Sequence, residues 1–195
     1  MRRPQSYQQR RYATVVRQVL EFSCGSASLA TLLTYFLATP TTEADVIRIL
    51  RQRYPTEEAW RTKQQAGFSF EDIIFAADRL GFAAQAARVD LPQLVRMAGP
   101  VIVHLNKGDW QHFSVLRAAR EGFYYLSDPI HGQVAMLDHE FQAEFTGAVL
   151  AVWRRGQPLA TGSPLQAVRD GVSVERSVNR ALQLHAAPPV FVLPF

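Results

Sequence analysis

The sequence holds a single cysteine, Cys24, among 195 residues. One thiol excludes an intrachain disulfide and any multi-cysteine zinc site. No run approaches the roughly 18 uninterrupted apolar residues that a membrane-spanning helix needs. The opening Met1-Arg2-Arg3-Pro4-Gln5-Ser6 passes straight into polar sequence, so no signal peptide is visible. Charge of one sign is also scarce. The 21 Lys+Arg against 17 Asp+Glu leave a net charge of +4, too small an excess to mark a nucleic-acid binder. There are no internal repeats. What remains is ordinary globular composition, 48% apolar and 19% charged, enough for one core or one domain with an appendage.

Residues 1–13 carry Arg2, Arg3, Arg10 and Arg11 with no acid, and read as a solvated basic arm that Tyr7 and Tyr12 could dock in part. Leu29, Leu32, Leu33, Phe36 and Leu37 then mark one face of a helix, with Ser23 as N-cap and Pro40 as stop. A second helix starts at Thr42, with Asp45 at capping-box spacing and Val46, Ile49 and Leu50 on its apolar face. A third follows Ser69 and Asp72 and stops at Gly81. A short helical turn runs from Asp90 to about Met97. After it the texture changes to strands: 101–105, 112–116, 123–126, 133–137 and 148–153, parted by turn residues. No helix-length crossover separates most of them, so an antiparallel meander is expected. Helices first and a sheet second make an α+β arrangement. Residues 156–195 read as an appendage, with a helix over 173–184 and an apolar end from Pro188 to Phe195. That end is expected to pack on the body or on a second copy of the chain.

Cys24 falls in the first turn of the first strong helix. The unpaired N–H groups and the positive dipole end there favour a thiolate. Gly25, Ser26, Ala27 and Ser28 follow, and their small side chains would leave the sulfur approachable. From position alone, a buried inert thiol is as good a reading. A nucleophile needs a base, and His104 and His112 stand in or beside strands. His112 opens an apolar strand just after a turn, whereas His131, His139 and His185 read as surface or hydrogen-bonded residues. A base needs an orienting group. If 112–118 and 123–127 form a hairpin, simple counting puts His112 roughly opposite 128–130, beside Asp128. Asp128-Pro129 also reads as a plain turn initiator, and Asp138 as an N-cap. Gln18, six residues before Cys24, could offer an amide to a developing oxyanion.

In that order these residues resemble the C39 cysteine peptidases. The stretch Gln18-Val19-Leu20-Glu21-Phe22-Ser23-Cys24-Gly25-Ser26-Ala27 is similar to their N-terminal motif. Trp110-Gln111-His112-Phe113-Ser114 resembles their histidine motif, and Ser127-Asp128-Pro129-Ile130-His131-Gly132 their aspartate motif. Glu140-Phe141 and Phe145-Thr146-Gly147 match the end of that domain, so residues 14–155 are read as C39-like. The resemblance implies a papain-like fold, a Cys24–His112–Asp128 triad with Gln18 in the oxyanion hole, and no metal or cofactor. It also implies cleavage after small residues, commonly a double glycine closing a leader.

Two features depart from the pattern. Ser23 stands where the family often has an acid. There is also no Gly-x-x-x-x-Gly-Lys-Ser/Thr phosphate loop, so the chain resembles free-standing members that accompany export of bacterial functional amyloid. That implies a periplasmic enzyme acting on an exported protein, with an export-machinery partner. A peptidase-like module that binds without cleaving is the alternative. Such degenerate domains typically lack the cysteine, and retention of Cys24, His112 and Asp128 favours the enzyme. An RNA- or DNA-binding role for the arginine arm lacks a basic helix or an aromatic platform.

Overall fold

The computed structural model describes residues 6–97 and 99–157. The helix read over 173–184 and the apolar C-terminal end lie outside the described residues.

The first short helix, α1 (Tyr7–Arg11), is capped by Ser6 and exposed. The central helix α2 (Cys24–Thr31) runs on through a wider turn, Leu32–Phe36, in which the Leu37 N–H reaches the Leu32 carbonyl at 3.0 Å. Its expected apolar face is the buried one: Leu29, Leu32, Leu33, Phe36 and Leu37 all lie in the core. The capping boxes read at Thr42–Asp45 and Ser69–Asp72 open α3 (Glu43–Arg53) and α5 (Phe70–Arg79). Asp72 does more than cap. It is fully buried and paired with Lys63 at 2.8 Å, so it ties α5 to the helix before it.

Six strands form one sheet in the order β1-β6-β2-β3-β4-β5, with every neighbouring pair antiparallel. They are β1 (Phe82–Arg88), β2 (Val101–Asn106), β3 (Gln111–Arg120), β4 (Phe123–Asp128), β5 (Gly132–Leu137) and β6 (Phe145–Arg154). The fold is α+β and papain-like. Strands β2 to β5 make the expected meander, but β6 departs from it by returning to lie between β1 and β2.

Helices α2, α3 and α5 cover one face of the sheet through Leu29, Leu33, Val46, Ile73, Phe113 and Leu150. The other face packs Leu105, Leu126 and Met136 against Leu94 of α6 (Leu91–Val95) and Phe141 of α7 (Asp138–Glu144).

Four elements were not expected, among them the helix α1 in the arm read as solvated. The helix α4 (Glu57–Ala66) has no buried residue, so it writes no apolar stripe into the sequence. Strand β1 is Phe-Ala-Ala-Gln-Ala-Ala-Arg, poor in β-branched residues, and takes its conformation from pairing with β6. Helix α7 holds one buried residue, Phe141. Asp138, expected as an N-cap, is instead the first residue of α7, with Leu137 at the cap position.

Candidate active site

Cys24 is the first residue of α2, half-buried and a free thiol. Its own N–H, at the helix start, has no intrahelical acceptor. The residues after it do not serve access, as the small side chains suggested. Gly25, Ser26, Ala27 and Ser28 are all buried. At Gly25 a Cβ would stand 2.8 Å from Ile73 Cδ1 and 3.2 Å from Phe113 Cδ2, so the absent side chain lets α2 lie close against β3 and α5. Close approach of the helix start to β3 brings the thiol to the imidazole.

Ser23 corrects a second expectation. It makes no capping bond; its hydroxyl is turned to the Leu20 carbonyl at 2.7 Å and to the carboxylate of Glu43. Glu43 was not singled out by sequence. It opens α3, is 7% exposed, and accepts from the backbone N–H of Val19 at 3.1 Å and of Leu20 at 3.4 Å. A carboxylate thus reaches the residue before Cys24 from another helix.

His112 is the second residue of β3 and is wholly buried. Its Nε2 lies 2.8 Å from Asp128 Oδ2 at the end of β4. The register explains why they meet. Ala118 pairs with Tyr125, but Leu116 pairs with Leu126 and Val115 with Ser127, so Arg117 is an extra residue in β3. Carried to the strand ends, the shifted register puts residue 114 opposite 128, and 112 two residues along on the same face. Without the bulge the two side chains would point to opposite faces. The exposed ring of Trp110 packs edge-on to the His112 imidazole, with centroids 4.8 Å apart.

Asp128 is itself held by four donors. Its Oδ1 accepts from the N–H of Ile130 at 2.9 Å, the N–H of His131 at 2.7 Å and the His131 Nδ1 at 3.1 Å. His131 is therefore the hydrogen-bonded neighbour of Asp128, one of the two readings its sequence allowed. The Asp-Pro turn carried the signal, since an Asp side chain commonly bonds backbone two residues on.

The electrostatics follow from these contacts. Burial opposes a charged His112 ring, but hydrogen bonds to Asp128 and Cys24, and their negative charge, raise it from 6.5 to about 9. Burial likewise opposes an ionised Asp128, yet the bonds from His112 and His131 hold its carboxyl well below the usual carboxylate range. Among the described residues the Nδ1 of His112 has no hydrogen-bond partner other than what Cys24 can supply.

The signs of the two shifts fix how stability depends on pH. The raised His112 contributes stability that is whole below pH 6.5 and lost as pH rises through about 9. The depressed Asp128 contributes stability that is present above 3.8 and lost as pH falls. Urea titrations should therefore show unfolding free energy declining between pH 6.5 and about 9. In His112→Ala this decline should be missing; an identical decline in the variant would place the pH dependence elsewhere.

His104 is held apart from this centre. Its Nδ1 meets Thr146 Oγ1 at 2.9 Å, and that hydroxyl donates to the His104 carbonyl at 3.2 Å. Burial, followed by the charges of His112 and Arg88, lowers its pKa. Gln18 stands in a different use from the one its spacing suggests. Its Nε2 donates to the carbonyls of Leu20 at 2.6 Å and Glu21 at 3.0 Å, so the amide braces the turn that leads to Cys24. Its Oε1 is buried with no partner among the described residues.

A half-buried thiol at a helix start, a buried imidazole and a multiply held carboxylate are the kinds of group that nucleophilic catalysis by a thiol requires. Residues 13–157 match the sequence profile of the Peptidase C39 family. The chain belongs to the peptidase C39 family. It is 35% identical over 162 residues to the probable functional amyloid protease FapD of Pseudomonas aeruginosa, covering 80% of this chain and 70% of that one. It is 30% identical to the FapD of Pseudomonas fluorescens, over 78% of this chain and 66% of that protein. The chain thus spans about two thirds of the length of these relatives. The peptidase domain of Streptococcus ComA, a bi-functional ABC transporter involved in a quorum sensing pathway, superposes with a TM-score of 0.61. That match has 25% identity over 73% of this chain and 98% of the domain. Among the described residues of this C39 peptidase, no helix is long and apolar enough to cross a membrane.

Proposed function

We propose that this chain is a cysteine endopeptidase that cleaves after small residues, such as a double glycine, in an exported protein or its leader. Cys24, His112 and Asp128 are its triad. The observation that carries the reading is the buried 2.8 Å bond from His112 Nε2 to Asp128, which leaves Nδ1 as the ring atom free to interact with the one thiol of the chain. The thiol proton passes to Nδ1, and the Cys24 sulfur attacks the scissile carbonyl. The carbon–nitrogen bond then breaks as Nδ1–H protonates the leaving amine. Water, deprotonated by the same nitrogen, opens the thioester and frees the acid. Asp128 holds the ring and stabilises its cation.

An apolar groove of about 640 Å³, lined in part by Val19, Leu20, Ile47 and Trp60, lies beside the turn before Cys24 and suits a peptide substrate. Relatives named as functional amyloid proteases support an exported, amyloid-forming substrate and a periplasmic site of action. Incubation with peptides that carry or lack a Gly-Gly pair, read by mass spectrometry, tests this. Cleavage after the pair supports the reading, and intact peptides under all conditions oppose it.

We assign the oxyanion to the Cys24 N–H and the Gln18 amide, whose Nε2 here holds the turn before Cys24. Gln18→Ala should then lower kcat about a hundred- to thousandfold with KM nearly unchanged, the mark of a donor lost from the transition state. A defect confined to KM, or a largely unfolded variant, would leave Gln18 as a brace of the turn. The engaged amide is also what a binding module that never turns over would show. Binding of the Gly-Gly peptide without cleavage is the result that would select that second reading.

A further inference from the structure

The segment just before the C39 match is joined to the loop that carries Asp128. Three consecutive carbonyls of that loop are gripped from the N-terminal side. The Pro129 oxygen accepts from the Gln18 N–H at 2.9 Å, the Ile130 oxygen from the Tyr12 hydroxyl, and the His131 oxygen from the Arg11 guanidinium Nε. Each grip acts on a planar unit. In a trans peptide the carbonyl and the following N–H point in opposite directions, so a donor on the carbonyl aims the N–H. The unit held by Gln18 points the Ile130 N–H at Asp128 Oδ1, 2.9 Å away. The unit held by Tyr12 points the His131 N–H at the same oxygen, 2.7 Å away.

The strap is seated along its length. Val15 is buried, and the Val16 N–H donates to Thr31 Oγ1 of α2 at 3.0 Å. Ser127 and Gln133 reach Thr14 from the loop's own strands at 3.4 and 3.3 Å. Gly132 has φ +76°, and a Cβ there would stand 2.5 Å from the Arg11 carbonyl oxygen, so the strap lies directly on the loop.

We infer that Tyr12 and Arg11 are positioning residues of the peptidase, and that the N-terminal arm is a strap which sets the Asp128 carboxylate for His112. The inference rests on the triad assigned above. It goes beyond it because both residues precede the matched span, which begins at residue 13, and because the arm was expected to be solvated, docked at most in part through Tyr7 and Tyr12, with no role at the site. Neither residue touches the reacting atoms. Tyr12 acts through the His131 N–H, one of the two peptide N–H groups that hold one carboxylate oxygen and leave the other for the imidazole, while Arg11 holds the next carbonyl, that of His131, and steadies the same loop.

Tyr12→Phe is the sharpest test. It removes the hydroxyl and keeps the ring on which the Arg11 and Arg17 guanidinium groups lie, 5.7 and 5.6 Å from its centroid. The readouts are kcat and KM on a fluorogenic Gly-Gly peptide, the pH profile, and the rate of Cys24 alkylation by iodoacetamide. The groups that face His112 are Asp128, Cys24 and the more distant His104, and Asp128 also faces His131. Tyr12→Phe should lower kcat about three- to tenfold with KM unchanged. It should also move the alkaline limb of the profile to lower pH, because a looser Asp128 stabilises the imidazolium less. Arg11→Ala/Tyr12→Phe should extend both changes. Tyr7→Phe, in the same arm and 64% exposed, should change neither. The position of the limb does not depend on how much of the protein is folded, so a destabilised variant still reports. Wild-type kcat and an unmoved limb in Tyr12→Phe would overturn the strap and leave the triad standing. A wild-type chain that neither cleaves the peptide nor shows His112-dependent alkylation would overturn both.

Discussion

Cys24→Ala is expected to abolish peptide cleavage and keep the fold. No other residue can replace the sulfur, because it is the single thiol of the chain. The cost should be roughly 10⁶-fold, the scale at which loss of one triad member removes the whole covalent route. His112→Ala should cost about as much, and the double variant no more than either. That non-additivity is the signature of two groups acting as one unit. The fold should survive the cysteine change because the side chain is half-buried and one atom larger than alanine's, at the start of a helix whose other positions carry the packing. Residual cleavage at wild-type rate would remove Cys24 from the chemistry. Circular dichroism beside a continuous peptide assay reads both halves of the expectation.

Asp128→Asn should lower kcat by about 10⁴-fold while leaving KM near its wild-type value. The amide keeps the size of the carboxyl but presents a donor or a weaker acceptor to His112 Nε2, and so disfavours the tautomer with its lone pair on Nδ1. It also removes the negative charge that helps lift His112 to about 9, so the alkaline limb should move toward lower pH. Asparagine should retain part of the turn, because its side-chain oxygen can still accept from Ile130 and His131, which bond Asp128 Oδ1 at 2.9 and 2.7 Å. An Asp128→Asn protein with wild-type kcat would mean that Asp128 only builds the turn. The stability of the variant separates these roles, since a group that is structural alone would lower the melting temperature without moving the pH profile.

Much of this was legible because its causes are local. Capping boxes at Thr42 and Ser69 and the leucine stripe of α2 are written in consecutive residues. So is the hairpin whose length brings residue 112 near 128. What stayed hidden depends on distant partners. Strand β1 is alanine-rich and exists because β6 lies beside it. The bulge at Arg117 decides which face His112 takes, yet no turn residue marks it. Glu43 reads as an ordinary first-turn acid of α3 and becomes part of the site because Val19, Leu20 and Ser23 fold back onto it. The smallness of Gly25 looked like access and is packing against Ile73 and Phe113.

Intact mass after incubation with a thiol-directed peptide probe, such as a Gly-Gly vinyl sulfone, tests the central claim most directly. The wild-type chain should gain one probe mass rapidly at neutral pH, and His112→Ala should stay unlabelled over the same interval. Since there is one cysteine, the adduct has one site to occupy. Equal labelling of the two proteins, or none of the wild type, would contradict a nucleophile at Cys24 activated by His112.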